Sequence, residues 1–469
     1  MVSKVKRRGW WFLAPGHITR TMSAINHVAV VEFRDSWHAA SCLEVAGRVF
    51  AVVTLAVAPA AKLLMVPAWA AVFTVSRDSP MLSALLSFAS VVSMIACVIV
   101  ATIVFLTSRA AAGRAALLAP TTGCNAIAAI VVFGLLKALT ESLSIVATPN
   151  LPTALEPVLG VATVVVVAVF RIPLLQSEFS SSKRPCFDPV LLFACVFVIG
   201  GAVLRVGAVG WAIPEVDVQQ PAVWAGLAAC VGLAIYVADA TFFVNRFSLP
   251  RAPFALGGYQ HRLNEREDRR HSGRCAFPSV VLVLLASGLV VDTAATIVFV
   301  PLRHGLSSSR SSSAPASGSR HGGYDTFASG WRCMLGLDPQ CTGDAQYDHV
   351  AYAAAYSLAN VAGTAALLVT VRFSPMFAAV LLQLASPLAS VIRMALPPDR
   401  TPRGWVQEND ERLGFVLGNV ACVIVALMAC GYSELRARGE AGVLERQIDD
   451  CSSERSPFQR RHQVYEHHL

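Results

Sequence analysis

The chain alternates between long apolar runs and short polar connections. Six runs contain no charged residue and are long enough to cross a bilayer as helices; they are 79–108, 115–136, 218–238, 349–371, 373–392 and 413–433. Four more, at about 46–68, 151–170, 189–212 and 277–301, are interrupted only by isolated charges. A membrane-spanning helix needs about 20 apolar residues. The pattern therefore predicts ten helices, which start near residues 46, 81, 121, 151, 189, 221, 277, 348, 374 and 411.

The composition excludes a soluble enzyme. Of the 469 residues, 55% are hydrophobic and 14% are charged, whereas a soluble chain carries about 25% charged residues. The net charge of +8 does not indicate nucleic-acid binding, because the basic residues lie between the apolar runs and form no single stripe. We therefore predict an all-α integral membrane protein that contacts the lipid bilayer and binds no nucleic acid.

Basic residues are concentrated in connections on one side of the predicted bundle. Residues 246–276 contain seven arginines, while the connection at 213–220 has two acids and no base. By the positive-inside rule the arginine-rich loop faces the cytosol, and so do both termini. The predicted organisation is a cytosolic tail at 1–45, five helices in 46–213, five more in 214–435 and a cytosolic tail at 436–469.

The longest connection on the other side is a predicted lumenal loop at 303–347. Its first part, from Ser307 to Gly323, is rich in serine and glycine and is predicted to be disordered. Its second part contains Cys333 and Cys341. A disulfide between these cysteines is chemically permitted outside the cytosol, and two free thiols are the alternative.

The fourth and ninth predicted helices share a proline followed by small residues. Pro157 and Pro387 are 230 residues apart, close to half the length of the chain. Because each half has five helices, the second half enters the membrane from the opposite side and forms an inverted repeat with the first. Proline-interrupted helices at matching positions of two inverted halves indicate a substrate path at the interface between them.

The stretch from Ser357 to Asp399 contains Arg372-Phe373-Ser374, Leu382-Gln383 and Pro387. Elsewhere the chain has Asn245-Arg246-Phe247 after helix six, Lys62 in helix one and a cysteine-bearing loop before helix eight. These features resemble the chloroquine-resistance-transporter-like family, which belongs to the drug/metabolite transporter superfamily, and the 357–399 stretch is similar to its helices eight and nine. The resemblance extends over about residues 45–440. The loop has two cysteines where the family typically has four, and Ala362 or a neighbour stands where an acidic residue is expected.

This resemblance implies ten helices in two inverted halves and residence in the membrane of an acidic vacuole or lysosome-like organelle. It also implies export of small solutes to the cytosol. In the family these solutes are peptides, amino acids, basic drugs or, in plant relatives, glutathione-type thiols.

Ionisable residues inside membrane helices usually face a cavity or a partner, because each costs roughly 2.5–3.5 kcal/mol at a helix centre. The candidates for a substrate and proton cavity are Lys62, Glu141, Glu156, Asp239, Asp292, Asn360 and Gln383. Lys137 lies one helical turn before Glu141, so the two side chains either neutralise each other or serve the cavity. Asn360 and Gln383 either link helices or bind substrate.

The candidates differ in the partners expected for them. Asp292 has no charge within four residues in sequence, so its partner comes from another helix or from water. Asp239 either lines the cavity or pairs with Arg246. Arg205 and Arg393 lie late in their helices and are expected to extend to the membrane interface. We expect Glu156, Asp292 and Lys62 to share one central cavity.

No catalytic or metal-binding motif is present: the chain has no CxxC, no HExxH and no phosphate-binding glycine loop. We therefore expect no enzymatic activity, no cofactor and no metal site. The expected function is proton-coupled export of small organic solutes, namely amino acids, peptides or basic drug-like cations. A thiol or nucleotide-sugar exchanger of the same fold, or a receptor or scaffold without transport activity, is the alternative.

Overall fold

The computed structural model describes residues 42–72, 79–107, 124–147, 155–176, 189–208, 221–247, 277–299, 322–337, 344–395, 413–434 and 436. These residues form α-helices joined by a few turns. In chain order the helices are α1 (Cys42–Val72), α2 (Ser79–Thr107), α3 (Cys124–Ala147), α4 (Glu156–Gln176), α5 (Pro189–Ala208), α6 (Pro221–Phe247), α7 (Phe277–Val298), α8 (Gly322–Met334), α9 (Asp344–Val371), α10 (Pro375–Leu382), α11 (Ala385–Ala395) and α12 (Leu413–Glu434).

The described helices confirm an all-α, multi-pass membrane protein. Within the described ranges, nine helical segments are long and apolar enough to cross a bilayer, with α10 and α11 counted together as Pro375–Ala395. The fourth predicted helix, α4, is apolar over the shorter stretch Glu156–Phe170. Ten crossings and the inverted relationship of the halves therefore stay predictions.

The ninth predicted crossing is broken into two helices. Ser374 caps α10, because its hydroxyl accepts a hydrogen bond from the Phe377 amide at 3.3 Å. At the other end, the amides of Gln383 and Leu384 bond to carbonyls three residues back, at 3.0 and 3.1 Å, which tightens the last turn. Pro387 has no amide hydrogen to donate to the Gln383 carbonyl. Helix α11 therefore begins as a separate element.

Helix α8 lies within the predicted 303–347 loop, a segment whose sequence did not indicate a helix. It packs against α2: Trp331 donates from Nε1 to Ser87 Oγ at 2.9 Å, and its ring meets Phe88 edge-on. Gly336 ends the helix with a φ of 67°, a conformation that glycine adopts without strain. Cys333 is buried and disulfide-bonded. Its predicted partner Cys341 lies outside the described residues, as does most of Ser307–Gly323.

Contacts between Cα atoms divide the chain into two units. The larger consists of Gly47–Ala252 and Leu256–Cys430, and the side-chain contacts reported below all belong to it. The smaller consists of Met1–Ala46, Pro253–Ala255 and Gly431–Leu469, of which the structure describes the first turn of α1, the last turn of α12 and residue 436.

The larger unit places apolar side chains on its outside and polar side chains within it. Phe50, Val169 and Leu358 are among many large apolar residues that are exposed. Such an exterior suits contact with lipid, whereas in water it would favour aggregation. Lys137, Asp292 and several serines and threonines are instead buried between helices.

Candidate functional site

Five polar side chains from four helices form a connected group, called the lysine cluster below. Its members are Lys62 of α1, Lys137 and Glu141 of α3, Asp292 of α7 and Asn360 of α9. Lys137 Nζ donates to Asp292 Oδ2 at 2.8 Å and to Glu141 Oε1 at 2.9 Å. Lys62 Nζ donates to the same Glu141 oxygen at 2.8 Å and to Asn360 Oδ1 at 2.6 Å. Lysines and carboxylates therefore alternate along one chain of contacts.

Two glycines bring α3 and α7 close together next to this ion pair. Gly134 lies three residues before Lys137, and a β-carbon there would be 2.5 Å from Val291 Cβ. Gly288 lies four residues before Asp292, and a β-carbon there would be 2.7 Å from the Phe133 ring. The missing side chains allow the helices to approach, so Lys137 and Asp292 meet one turn further along.

Burial and charge balance define what the lysine cluster can do. The exposed fractions of the Asp292 and Lys137 side chains are 0% and 5%, whereas those of Lys62 and Glu141 are both 22%. Two positive and two negative charges cancel, so the resting group is neutral if all four are ionised. Removing one partner from a buried pair leaves an uncompensated charge, which costs about 3–5 kcal/mol. A charged solute or a proton bound here would change the net charge of the lysine cluster.

Lys62 occupies the more open end of the lysine cluster. Its ammonium lies 4.9 Å from the centre of the Tyr356 ring, within the range of a cation–π interaction. Tyr356 belongs to an apolar group that also includes Trp69, Cys333 and Met334. Residues of α8 thus take part in the packing around the aromatic ring that contacts Lys62.

A second polar group surrounds the break between α10 and α11. It consists of Glu156 of α4, Arg205 of α5, and Ser386 and Ser390 of α11, and is called the arginine group below. Arg205 donates to Ser386 Oγ at 3.0 Å and to Ser390 Oγ at 2.5 Å. Ser386 in turn donates to Glu156 Oε2 at 2.8 Å. The group joins α4 and α5 to the first two turns of α11.

Gln383 lies at the break itself and contacts α4. A β-carbon at Gly160 would overlap its side-chain amide oxygen, so the glycine makes room for Gln383. The side-chain amide of Gln383 donates to the Ala379 carbonyl at 3.4 Å, and its backbone amide donates to the Val380 carbonyl at 3.0 Å. Pro157 is buried on the same helix as Gly160, and Pro387 is buried on α11.

The structure brings together four of the predicted site residues: Lys62, Glu141, Asp292 and Asn360. Glu156 does not join them but belongs to the arginine group, and Gln383 lies at the helix break beside it. The partner of Asp292 does come from another helix, as expected. Asp239 Oδ2 is buried and makes no hydrogen bond with the described residues, while Arg246 is exposed.

The expectation for Arg205 was wrong. Its side chain does not extend to an interface: the residue is 1% exposed and bonds to two serine hydroxyls. Ser386 and Ser390 were not singled out as site residues either, although both flank Pro387 in the helix that the sequence marked as interrupted. The signal was an i, i+4 serine pair beside a proline, which is too common to identify a site alone.

Comparisons with models of protein families and with curated proteins found no match. Function is therefore inferred from the polar groups between the helices. Both groups connect residues before position 213 with residues after position 214, through Lys62–Asn360, Lys137–Asp292, Arg205–Ser390 and Glu156–Ser386. A change in protonation or occupancy at either group would alter how these two parts of the chain are held together.

Proposed function

We propose that this protein is a secondary transporter related to the chloroquine-resistance-transporter-like family. It exports small organic solutes, namely amino acids, peptides or basic drug-like cations, from an acidic vacuole or lysosome-like organelle to the cytosol. Protons moving in the same direction drive this export. On this proposal the protein has no enzymatic activity.

The observation that carries this proposal is the buried pair of Lys137 and Asp292. Replacing a buried ion pair by apolar side chains of similar size often leaves a protein equally or more stable. A buried ion pair is therefore weak evidence for a purely stabilising role. Ionisable residues within membrane helices most often mark ion or substrate pathways. The neighbouring charges of Glu141 and Lys62 extend the pair toward the more exposed part of the lysine cluster.

The charge balance of the lysine cluster supports the proposal of proton coupling. A proton on Asp292 neutralises one carboxylate and leaves the group with an excess positive charge. A solute whose carboxylate binds at this group, with its ammonium held elsewhere, offsets the excess charge, so proton and solute favour each other's binding. Such reciprocal coupling is a general property of two ligands that stabilise the same state. Amino acids and peptides fit this scheme better than simple cations.

The broken crossing supports a solute path near the arginine group. Interrupted helices in transporters expose backbone groups where they line a cavity, and substrates bind beside them. Here Pro387 leaves the Gln383 carbonyl without its helical amide donor, and Glu156 approaches the start of α11 through Ser386.

The direct test is solute flux in proteoliposomes with an acidic interior. We expect efflux of amino acids or short peptides that collapses when the pH difference is dissipated. Flux of thiols or nucleotide sugars by exchange, without need of a pH difference, would instead favour the exchanger. No flux of any solute in a broad panel would favour a receptor or scaffold.

Orientation and location need separate measurements. Tags at residue 260 and at either terminus are expected to be cytosolic, and a tag at residue 315 lumenal, because the 246–276 loop is rich in arginine. A cytosolic tag at 315 would contradict the ten-helix topology. Microscopy of a tagged copy with an acidotropic dye, together with metabolite profiling of a deletion strain, tests the organelle and the solute class.

A further inference from the structure

Buried hydroxyl side chains in these helices usually bond to their own helix. Thr241, Thr364 and Thr370 each donate to the carbonyl four residues earlier, at 2.7, 2.8 and 2.7 Å. This arrangement satisfies a hydroxyl in an apolar environment without a partner from another helix. The hydroxyl groups of such threonines already have a hydrogen-bond partner and do not need a further ligand.

Three threonines near the Lys137–Asp292 pair in sequence, each with a buried hydroxyl oxygen, differ from this pattern. The hydroxyls of Thr140, Thr293 and Thr296 make no hydrogen bond with the described residues. The same is true of Asp292 Oδ1, the carboxylate oxygen that does not contact Lys137. A buried polar atom without a partner costs free energy comparable to a lost hydrogen bond, so each of these atoms calls for a ligand.

On α7, helical spacing connects these residues through Thr296. Thr296 follows Asp292 by one turn on the same face of α7, and Thr293 and Thr296 are neighbours at i and i+3. Thr140 lies one turn beyond Lys137 on α3, and its hydroxyl is 2.9 Å from the position of a β-carbon on Gly232 of α6. The unpaired oxygens therefore extend from the ion pair toward the C-terminal end of α7.

A second cation is a poor ligand for this group, because the Lys137 ammonium already lies 2.8 Å from the other Asp292 oxygen. Water suits it better, since a buried water makes about three hydrogen bonds and both donates and accepts. We propose that Asp292 Oδ1 and the hydroxyls of Thr293 and Thr296 bind a short file of buried water that delivers the coupling proton to Asp292. This proposal deepens the transport function proposed above and rests on it for the role of the proton.

In the proton step, one O–H bond breaks at the start of the water file and one O–H bond forms at Asp292 Oδ1. A hydronium ion at the mouth of the file gives a proton to the first water, each water passes one on, and the last transfers it to Asp292 Oδ1. The products are a neutral carboxylic acid and an unchanged file of water. For net transport, Asp292 then gives this proton to a water on the cytosolic side, which forms hydronium there and restores the carboxylate.

None of the described titratable groups around Asp292 donates a hydrogen bond to its Oδ1 atom, so Oδ1 is the oxygen that can accept the proton. Lys137 and Glu141 of α3, Lys62 of α1 and Tyr236 of α6 interact with the carboxylate electrostatically. The other titratable side chains described on helices packed against α7 are Cys97 of α2, Cys124 of α3, Cys230, Asp239 and Arg246 of α6, and Tyr352 and Tyr356 of α9. Among the described residues, Lys137 is the one that donates a hydrogen bond to Asp292, and it binds the other oxygen.

Infrared spectroscopy tests the water file without any need for transport. Reconstituted protein is titrated between acidic and neutral pH in D₂O and in D₂¹⁸O, and difference spectra are recorded. We expect a water O–D band that shifts with the oxygen isotope and is lost in Asp292→Asn and in Thr296→Val. The matched control Thr370→Val, which removes a buried hydroxyl bonded to its own helix, should keep the band. A wild-type spectrum without an isotope-sensitive band would overturn the proposal.

Proton flux in proteoliposomes provides the second test. We expect Thr296→Val to slow solute-driven proton flux about tenfold, equal to roughly 1.4 kcal/mol in the barrier, with Thr296→Ser restoring it. Thr370→Val should leave the rate unchanged, and thermal unfolding of all variants identifies those that fail to fold. Equal proton flux in wild type and folded Thr296→Val would refute the water path. Solute flux without any proton flux in the wild type would instead refute the proposed coupling.

Discussion

The two buried polar groups differ in the bonds described for their charged side chains. In the lysine cluster, ammonium and carboxylate groups contact each other directly at 2.8–2.9 Å. In the arginine group, the described bonds of Arg205 reach neutral serine hydroxyls, and one of these serines connects it to Glu156. A proton changes the charge of the first group at a direct contact. The second is better suited to fixing α11 beside α4 and α5 after the helix break.

This difference predicts that changes in the lysine cluster alter pH dependence, whereas changes in the arginine group alter rate and stability. The largest effect is expected for Asp292→Asn. It removes the proton acceptor, while Lys137 keeps Glu141 as a partner at 2.9 Å. Acid-driven flux should fall to background although the protein still reaches the membrane. Flux is measured per amount of incorporated protein.

A double variant separates folding from function at the same place. Lys137→Met with Asp292→Leu replaces both charges by apolar side chains of similar volume, which is often neutral or stabilising for a buried pair. We expect a well-folded protein without acid-driven flux. Unchanged pH dependence in either variant would contradict the assignment of Asp292 as the proton site.

The next effect concerns the helix crossing that supports the ion pair. In Gly134→Ala the new β-carbon would lie 2.5 Å from Val291 Cβ and 2.7 Å from the Gly288 carbonyl oxygen. Separating α3 from α7 should lower the free energy of unfolding by about 1–3 kcal/mol, as overpacking usually does. The matched control is Gly200→Ala in α5, where the new β-carbon would have no atom of the other described elements within 4 Å. There, helix propensity predicts a gain of about 0.5–1 kcal/mol. Thermal unfolding in detergent measures both, and equal effects of the two substitutions would contradict close packing at Gly134.

A smaller effect is expected in the arginine group. Ser386→Ala removes an acceptor from Arg205 and a donor from Glu156, both of which have further interactions. We therefore expect a loss of about 1 kcal/mol and a slower flux with the wild-type pH profile. Ser287→Ala is the control, because the Ser287 hydroxyl bonds to the Val283 carbonyl of its own helix. A shifted pH profile in Ser386→Ala would remove the distinction between the two polar groups.

The features that sequence patterns predicted well are those set by neighbouring residues. Run length located the long apolar helices within a few residues, since about 20 apolar residues suffice to cross a bilayer. The spacing of Lys137 and Glu141 made an ion pair one of two expected roles, because residues four apart share a helical face, and the structure has this pair. Pro387 marked the interrupted crossing, although the tight turn at Gln383 and Leu384 depends on details of the backbone.

The features that were missed depend on distant contacts. Arg205 is buried because serines 181 and 185 residues away approach it on another helix. Lys137 and Asp292 are 155 residues apart, and nothing in their local sequence indicates that they pair. Helix α8 follows a serine- and glycine-rich stretch and is too short and polar for a spanning helix. Its packing against Ser87 and Phe88 of α2 supplies the contacts that its sequence alone does not indicate.

The smallest effect is expected for a change at Lys62. This change is the most sensitive test of the role of the lysine cluster. Lys62→Thr removes one charge but leaves Glu141 bonded to Lys137, so folding should be little affected. The Asn360 carbonyl oxygen and the Tyr356 ring face then lose their ammonium partner and can receive that of an organic cation. A cation–π contact contributes about 1 kcal/mol, so the preference for cations over amino acids should rise about fivefold. Competition between labelled solutes in proteoliposomes measures this ratio, and Lys62→Arg, which keeps the charge, should leave it near the wild-type value. An unchanged ratio in folded Lys62→Thr would place Lys62 outside the solute path and confine the functional part of the cluster to Lys137 and Asp292.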